Sequence, residues 1–209
     1  MEVLEHNKIN KLNNFIYGQY IDKNLCDELV NYYENSSNKK SGTIYSKNKL
    51  SYMPEIKRST DLSIELYNSD NLIMNYYDEL GKVLDQYKEK YIYCSQDKGR
   101  WAIHEAWNIQ KYKPNEGFFA PHSERGSIST IYRHLVFMTY LNDVTDGGET
   151  EFFYQKLKVK PEKGLTLIWP TDWTFTHNGI TSPTQTKYIT TGWYSFTPKG
   201  LLDERTNEE

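Results

Sequence analysis

Two stretches in the first half of the chain repeat apolar residues at steps of three and four. From Asp22 to about Ser36 these are Leu25, Cys26, Leu29, Val30 and Tyr33, one face of an α-helix, with Asp22 placed to cap it. From Asp70 to about Tyr87 they are Leu72, Ile73, Tyr76, Leu80, Val83, Leu84 and Tyr87, with Ser69 as the candidate cap. Between them, Asn35 to Pro54 loses its periodicity and is rich in Ser, Asn and Lys, with Gly42. That composition reads as a loop, and as a candidate lid carrying Tyr45, Tyr52 and Met53. After Trp101 the period shortens toward two. Strands are expected over Trp107 to Lys113, His134 to Asn142, Glu151 to Tyr154, Leu157 to Val159, Leu165 to Trp169, Trp173 to Thr176 and Tyr188 to Phe196. Turn signals separate them at Pro114-Asn115, Asp146-Gly147-Gly148, Glu162-Lys163-Gly164 and Ser182-Pro183. Closely spaced strands of this kind make a sandwich or barrel, against one face of which the helices would pack.

The expected organisation is a single domain over 1–209. Residues 1–100 supply helical support and the lid loop, about 101–198 the β core, and 199–209 a charged tail that frays. Composition narrows the class. Twenty-five basic and twenty-eight acidic residues leave a charge of -3, with no basic surplus for a nucleic-acid or anionic-membrane partner. Aromatics at 15%, including eighteen Tyr, exclude disorder for the body of the chain. No apolar stretch approaches the roughly 20 residues of a bilayer span, and Met1 to Asn10 lacks a signal-peptide run. Cys26 and Cys94 lie in no paired-Cys metal motif, so a reducing, cytoplasmic setting is expected. Oligomeric state stays open.

Five histidines carry unequal promise. His6 lies in the polar start, and His104, beside Glu105, and His134, after Arg133, are read as structural. His122 stands in Ala120-Pro121-His122-Ser123-Glu124-Arg125-Gly126. Residues two apart in an extended segment share a face, so His122 and Glu124 can address one point. His177, at the end of the expected strand Trp173 to Thr176, can supply a third ligand. Two His and one carboxylate on one side of a metal leave the opposite positions open, as in non-haem Fe(II) oxygenases. On its own this pattern is weak, since it recurs by chance. Ten residues on comes Lys187, before an apolar strand. Facing inward, its ammonium would gain about 4 kcal/mol from a carboxylate ~4 Å away at an effective dielectric of 20, before desolvation. Facing outward, its stem would lie along the sheet.

A broader set of segments carries a resemblance. In order they are Tyr112, then His122-Ser123-Glu124, then Arg133 opening Leu135 to Asp143 with Tyr140-Leu141-Asn142-Asp143. Gly147-Gly148-Glu149-Thr150-Glu151-Phe152, Val159 to Leu165, His177, Lys187 and Trp193 follow. From Trp107 to Phe196 the chain resembles the 2-oxoglutarate- and Fe(II)-dependent dioxygenases, in particular the prolyl 4-hydroxylase-like branch. The resemblance implies a mixed α+β protein whose mainly β core is a double-stranded β-helix, or jelly roll, with N-terminal supporting helices. It implies His122, Glu124 and His177 as iron ligands and Lys187 as partner of the distal carboxylate of 2-oxoglutarate. Tyr112 would lie near that cosubstrate and Trp193 would line the pocket, where a core tryptophan is an equal account. One departure is Glu124, where the family usually has Asp.

The implied activity is hydroxylation of an unactivated carbon, with Fe(II), 2-oxoglutarate and O2, ascorbate as a candidate reductant, and succinate and CO2 as co-products. The branch points to a prolyl residue in a peptide or protein. Alternatives are a hydroxylase of a free amino acid or small metabolite, a non-catalytic jelly-roll binding module, and a cupin-like isomerase or hydrolase. No nucleic acid or membrane is expected as a partner.

Overall fold

Both amphipathic helices form where the apolar period places them. The computed structural model describes residues 2–4, 9–11, 13–46, 49–96 and 100–197, so His6 and the charged tail lie outside the described residues. Helix α1 (Lys23–Asn35) starts at Asp22, whose carboxylate accepts from the Asn24 amide at 2.8 Å, and buries Leu25, Cys26, Leu29 and Tyr33. Helix α2 (Asn71–Lys90) starts at Asp70, not Ser69. Asp70 has extended backbone, and its carboxylate accepts from the Leu72 amide at 2.9 Å while adding negative charge at the helix start.

Two sheets face each other. The larger is antiparallel in the order Tyr17–Tyr20, Leu165–Pro170, Arg133–Tyr140, Lys187–Phe196, Trp107–Tyr112, Thr60–Ile64 and Lys40–Ser41, with Trp101–Ala102 also pairing to Lys187–Phe196. The smaller runs Glu2–Leu4, Leu157–Val159, Thr150–Phe152 and His177–Gly179. Strands from the first hundred residues thus pair directly with the β core. Two expectations are corrected. Trp173–Phe175, rich in aromatic and β-branched residues, is a 3-10 turn entered from Asp172, and His177 begins a strand rather than following one. The stretch 35–54 is a loop only in part: Lys40–Ser41 joins the large sheet, and Ile44–Ser46 pairs with Lys49–Ser51 as a hairpin.

The apolar run Leu135 to Met138 within the strand Arg133–Tyr140 is explained by burial on both faces. Leu135 and Phe137 join Leu29, Ile73, Leu80 and Trp107 in the core beneath the helices. Val136, Met138 and Tyr140 join Phe152, Leu157 and Leu167 between the sheets. Gly192 makes the helix side possible, because a Cβ there would stand 2.3 Å from the Phe137 ring and 2.6 Å from Trp107. Mainly β architecture with two covering helices matches the expected class. Both cysteines are free, and burial pushes the Cys26 thiol up to about 12. His104 and His134 meet the carbonyls of Phe196 and Cys94 at 3.0 and 2.8 Å, as structural histidines do. Among the described residues no helix is long and apolar enough to cross a membrane.

Candidate metal centre and cosubstrate pocket

His122 and His177 are joined backbone to backbone. Each N–H donates to the other's carbonyl at 2.9 Å, an isolated antiparallel bridge that ties the His122 segment to the edge of the smaller sheet. The amides of Glu124 and Arg125 both donate to the Thr171 carbonyl, at 3.2 and 3.1 Å, which fixes the other end of the segment. Packing sets the ring planes. Phe118 stacks on His122 with centroids 3.6 Å apart, and Trp169 meets His177 edge-on at 5.3 Å.

Hydrogen bonding sets the tautomers. Nδ1 of His122 lies 3.0 Å from the Ala120 carbonyl and Nδ1 of His177 lies 2.9 Å from that of Phe175. A carbonyl only accepts, so each Nδ1 holds the proton and each neutral ring keeps a lone pair on Nε2. Those Nε2 atoms lie 3.4 and 3.5 Å from Glu124 Oε1. One donor atom from each of the three residues falls within 4.8 Å of the others. Three lone-pair atoms so close repel one another unless positive charge sits among them. Burial and the neighbouring His177 lower the His122 pKa. Burial alone would raise that of Glu124, but protonation of the imidazoles beside it, like any positive charge placed there, holds it well below the usual carboxylate range. A neutral imidazole and an ionised carboxylate are the forms a divalent metal needs, and the donor set suits iron.

Lys187 points inward. It is 5% exposed and its ammonium donates to the Gly148 carbonyl at 2.8 Å. That carbonyl is presented by the turn at Gly147 and Gly148, where φ is +75° and +82°, a region open to glycine at little cost. Burial lowers the amine to about 8, with Glu149 pulling the other way. A Cβ on Gly179 would stand 3.7 Å from Nζ. Gly179 and His177 share one face of their strand, about 6.6 Å apart at the usual rise. That spacing fits a small dicarboxylate reaching from the His–Glu–His cluster to the amine.

Tyr112 pairs with Lys187 across the strands, and the ammonium lies 5.2 Å from its ring centre. The Tyr112 hydroxyl donates to Gln110 at 2.7 Å; Gln110 in turn donates to Asp61 at 3.3 Å. Asp61 also accepts from Lys57 and Ser59, each at 2.7 Å. Trp193 is not simply core, since its indole N–H donates to Glu124 Oε2 at 2.9 Å. Arg133 lies over that indole and grips Glu105. Lys57, Asp61, Glu105 and Arg133 also line this site, and the sequence pattern singles out none of them for it. Glu105 and Arg133 find each other 28 residues apart and Asp61 meets Gln110 across 49, while the local pairing of Asp61 with Lys57 and Ser59 carries no chemical signature of its own. His122, Glu124, His177, Lys187 and Trp193 line one cleft of about 1440 Å³, to which Ile44, Tyr45 and Leu50 also contribute.

Residues 107–195 match the family model of the 2OG-Fe(II) oxygenase superfamily. No curated protein sequence matches the chain. Solved structures with a similar fold include a viral collagen prolyl hydroxylase from Paramecium Bursaria Chlorella virus-1 in complex with 2OG. The two share 17% identity and a TM-score of 0.67, over 88% of this chain and 98% of that one. A prolyl-4-hydroxylase from Pseudomonas putida shares 13% identity and a TM-score of 0.63, over 89% and 95%. A prolyl hydroxylase from Trichoplax adhaerens, in complex with a hypoxia inducible factor oxygen degradation domain peptide fragment, shares 16% identity and a TM-score of 0.67, over 97% and 90%. Residues 107–195, which contain the His–Glu–His cluster and Lys187, are thus similar to the 2OG-Fe(II) oxygenase superfamily on a fold shared with prolyl hydroxylases, and the donor set fits the Fe(II), 2-oxoglutarate and O2 that this family implies.

Proposed function

We propose that this oxygenase hydroxylates a prolyl residue in a peptide or protein, with succinate and CO2 as co-products. The observation that carries the reading is the convergence of His122, Glu124 and His177 beside a buried, inward Lys187 in one cleft. In it, His122, Glu124 and His177 hold the iron, Lys187 pairs with the distal carboxylate of 2-oxoglutarate, and the Tyr112 ring packs beneath that ammonium. Bound iron and 2-oxoglutarate together supply the oxidising chemistry: one oxygen atom of O2 enters the substrate C–H bond and the other enters succinate.

The protein's own residues bind, orient and shield. Nδ1–H bonds to Ala120 and Phe175 keep both Nε2 lone pairs aimed at one point. Phe118 packs on the His122 ring and Trp169 on that of His177, which fixes their orientation. Lys187 selects oxo acids with a second carboxylate, because one carbonyl contact leaves its desolvated ammonium short of partners and an anion makes up the difference. The peptide assignment draws on the Trichoplax complex, which holds a peptide, and on the size of the cleft. At about 1440 Å³ it exceeds the roughly 300–1,000 Å³ of ordinary small-molecule sites. The first hundred residues and the core act as one domain in this reading, with Ile44, Tyr45 and Leu50 of the hairpin lining the cleft.

A proline-containing peptide library incubated with the iron-loaded protein, 2-oxoglutarate and air tests it. Expected is a mass gain of one oxygen on proline with matching succinate. Succinate formed together with hydroxylation of free amino acids only, and no peptide product, would refute the peptide assignment.

A further inference from the structure

The two carboxylate oxygens of Glu124 have different surroundings. Oε1 faces Nε2 of His122 and His177 at 3.4 and 3.5 Å. Oε2 accepts from the Trp193 indole N–H at 2.9 Å and lies 3.6 Å from Nη1 of Arg133. Arg133 is itself held from several sides. Nε meets both oxygens of Glu105 at 3.1 and 3.2 Å, and Nη2 meets Oε2 of Glu105 at 2.7 Å. Nη1 donates to the Glu124 main-chain carbonyl at 3.3 Å, and the guanidinium lies 3.4 Å over the Trp193 ring. Ser195 anchors Glu105 at 2.9 Å. Trp193 and Ser195 sit two apart on one strand, and Arg133 pairs with Ser195 just before a register shift in the neighbouring strand. Arg133, Trp193 and Ser195 are therefore carried by paired strands, and they hold Glu105 and Glu124, which come from the bends beside them.

We infer that Trp193 and Arg133 are positioning residues that clamp Oε2, so that Glu124 offers Oε1 alone to the metal. The inference rests on the oxygenase reading and deepens it. A glutamate has one more rotatable bond than an aspartate, and an unheld one loses that freedom on binding metal. It can also turn to chelate through both oxygens, which would fill a position that the cosubstrate or O2 requires. The indole is a neutral donor, so it fixes Oε2 without drawing off charge. Arg133 spends its closest contacts on Glu105, and its longer 3.6 Å approach leaves Glu124 an anionic donor. The clamp thus accounts for how a carboxylate on a longer stem works in this site.

Anaerobic Co(II) titration of the full chain, without 2-oxoglutarate or substrate, followed by visible absorption and calorimetry, tests the clamp. Trp193→Phe keeps the ring beneath Arg133 and removes only the N–H. It should bind Co(II) about 10–100-fold more weakly, the usual cost of losing an outer partner of a metal ligand, with an altered Co(II) spectrum. In a Glu124→Asp background the shorter carboxylate falls short of the indole, so the same change should cost no more than about twofold. Arg133→Lys, which keeps charge but loses the fork and the stacking, should also weaken binding about tenfold, and it serves if Trp193→Phe fails to fold. Wild-type affinity and spectrum in these variants, or equal losses in both backgrounds, overturn the clamp while leaving the oxygenase reading intact. A wild-type protein that takes up no divalent metal overturns both.

Discussion

The long sheet treats polar groups differently on its two faces. On the helix side the core is apolar, and the hydroxyls within it close on one another. Tyr76 bonds Thr139 at 2.9 Å and also Thr190, and Thr139 bonds Thr166 at 2.7 Å. On the cleft side an apolar layer of Val136, Met138 and Leu167 gives way to buried His177, Lys187 and Lys57. There three lone-pair donors converge, an ammonium rests on one carbonyl, and the Trp169 indole N–H is buried without a partner among the described residues. The first face is built for stability. The second carries a desolvation cost that ionic ligands offset, a common trade at functional sites. Mutations should therefore separate the faces.

The largest separation is expected between His177→Ala and Leu29→Ala. The first should reduce succinate formation to background while moving the melting temperature by only a few degrees. The second should cost about 2–5 kcal/mol of stability, at roughly 2–4 °C per kcal/mol for a chain of this size, and leave kinetics at low temperature unchanged. Calorimetry and a succinate assay on both variants decide it, and loss of stability in His177→Ala with activity retained breaks the contrast.

Next is Lys187→Ala, which should raise the KM for 2-oxoglutarate about 10–150-fold, equivalent to 1.5–3 kcal/mol for a charged hydrogen bond. The reading expects kcat at saturation to change far less. Steady-state kinetics would show the split, and an unchanged KM would place the cosubstrate elsewhere.

A subtler consequence is pH dependence. Burial brings the Lys187 amine down to about 8, so in the free protein the ammonium is intact below that pH and lost above it. Affinity for 2-oxoglutarate should be level below pH 8 and weaken about tenfold per unit above it. Lys187→Arg should remain charged and flatten that limb. Calorimetric titration across the range checks both, and a level wild-type profile contradicts the buried ammonium.

The smallest effects belong to the helix side. Asp70→Ala should cost about 1 kcal/mol through loss of the cap, whereas Ser69→Ala should cost almost nothing. Tyr76→Phe should cost about 1 kcal/mol, with KM and kcat unaltered. Thermal melts and kinetics on the three variants sharpen the division, and a fall in kcat for any of them blurs it.

Legibility from sequence followed the range of the forces involved. The helices were readable because a period of three and four over a dozen or more residues is strong, and only the choice between adjacent Ser69 and Asp70 as cap failed. Strands that bury both faces, such as Arg133–Tyr140, announced themselves by their apolar run. Tyr17–Tyr20 did not, because it is short and contains Gly18, and Lys49–Ser51 did not, because Lys49 and Leu50 are exposed. Trp173–Phe175 misled because aromatic and β-branched residues also fill 3-10 turns. At the site, His122, Glu124, His177 and Lys187 were readable through an ordered set of motifs. Glu105 and the Asp61 network were not. Their meaning lies in contacts 28 residues from Glu105 to Arg133 and 49 from Asp61 to Gln110, which no periodicity encodes.

Anaerobic titration of the Fe(II)-loaded protein with 2-oxoglutarate probes the centre most directly. The account predicts a metal-to-ligand charge-transfer band that saturates at one equivalent, is absent in His177→Ala, and needs far more cosubstrate in Lys187→Ala. Iron and 2-oxoglutarate that bind without that band, or a band untouched by His177→Ala, would contradict it.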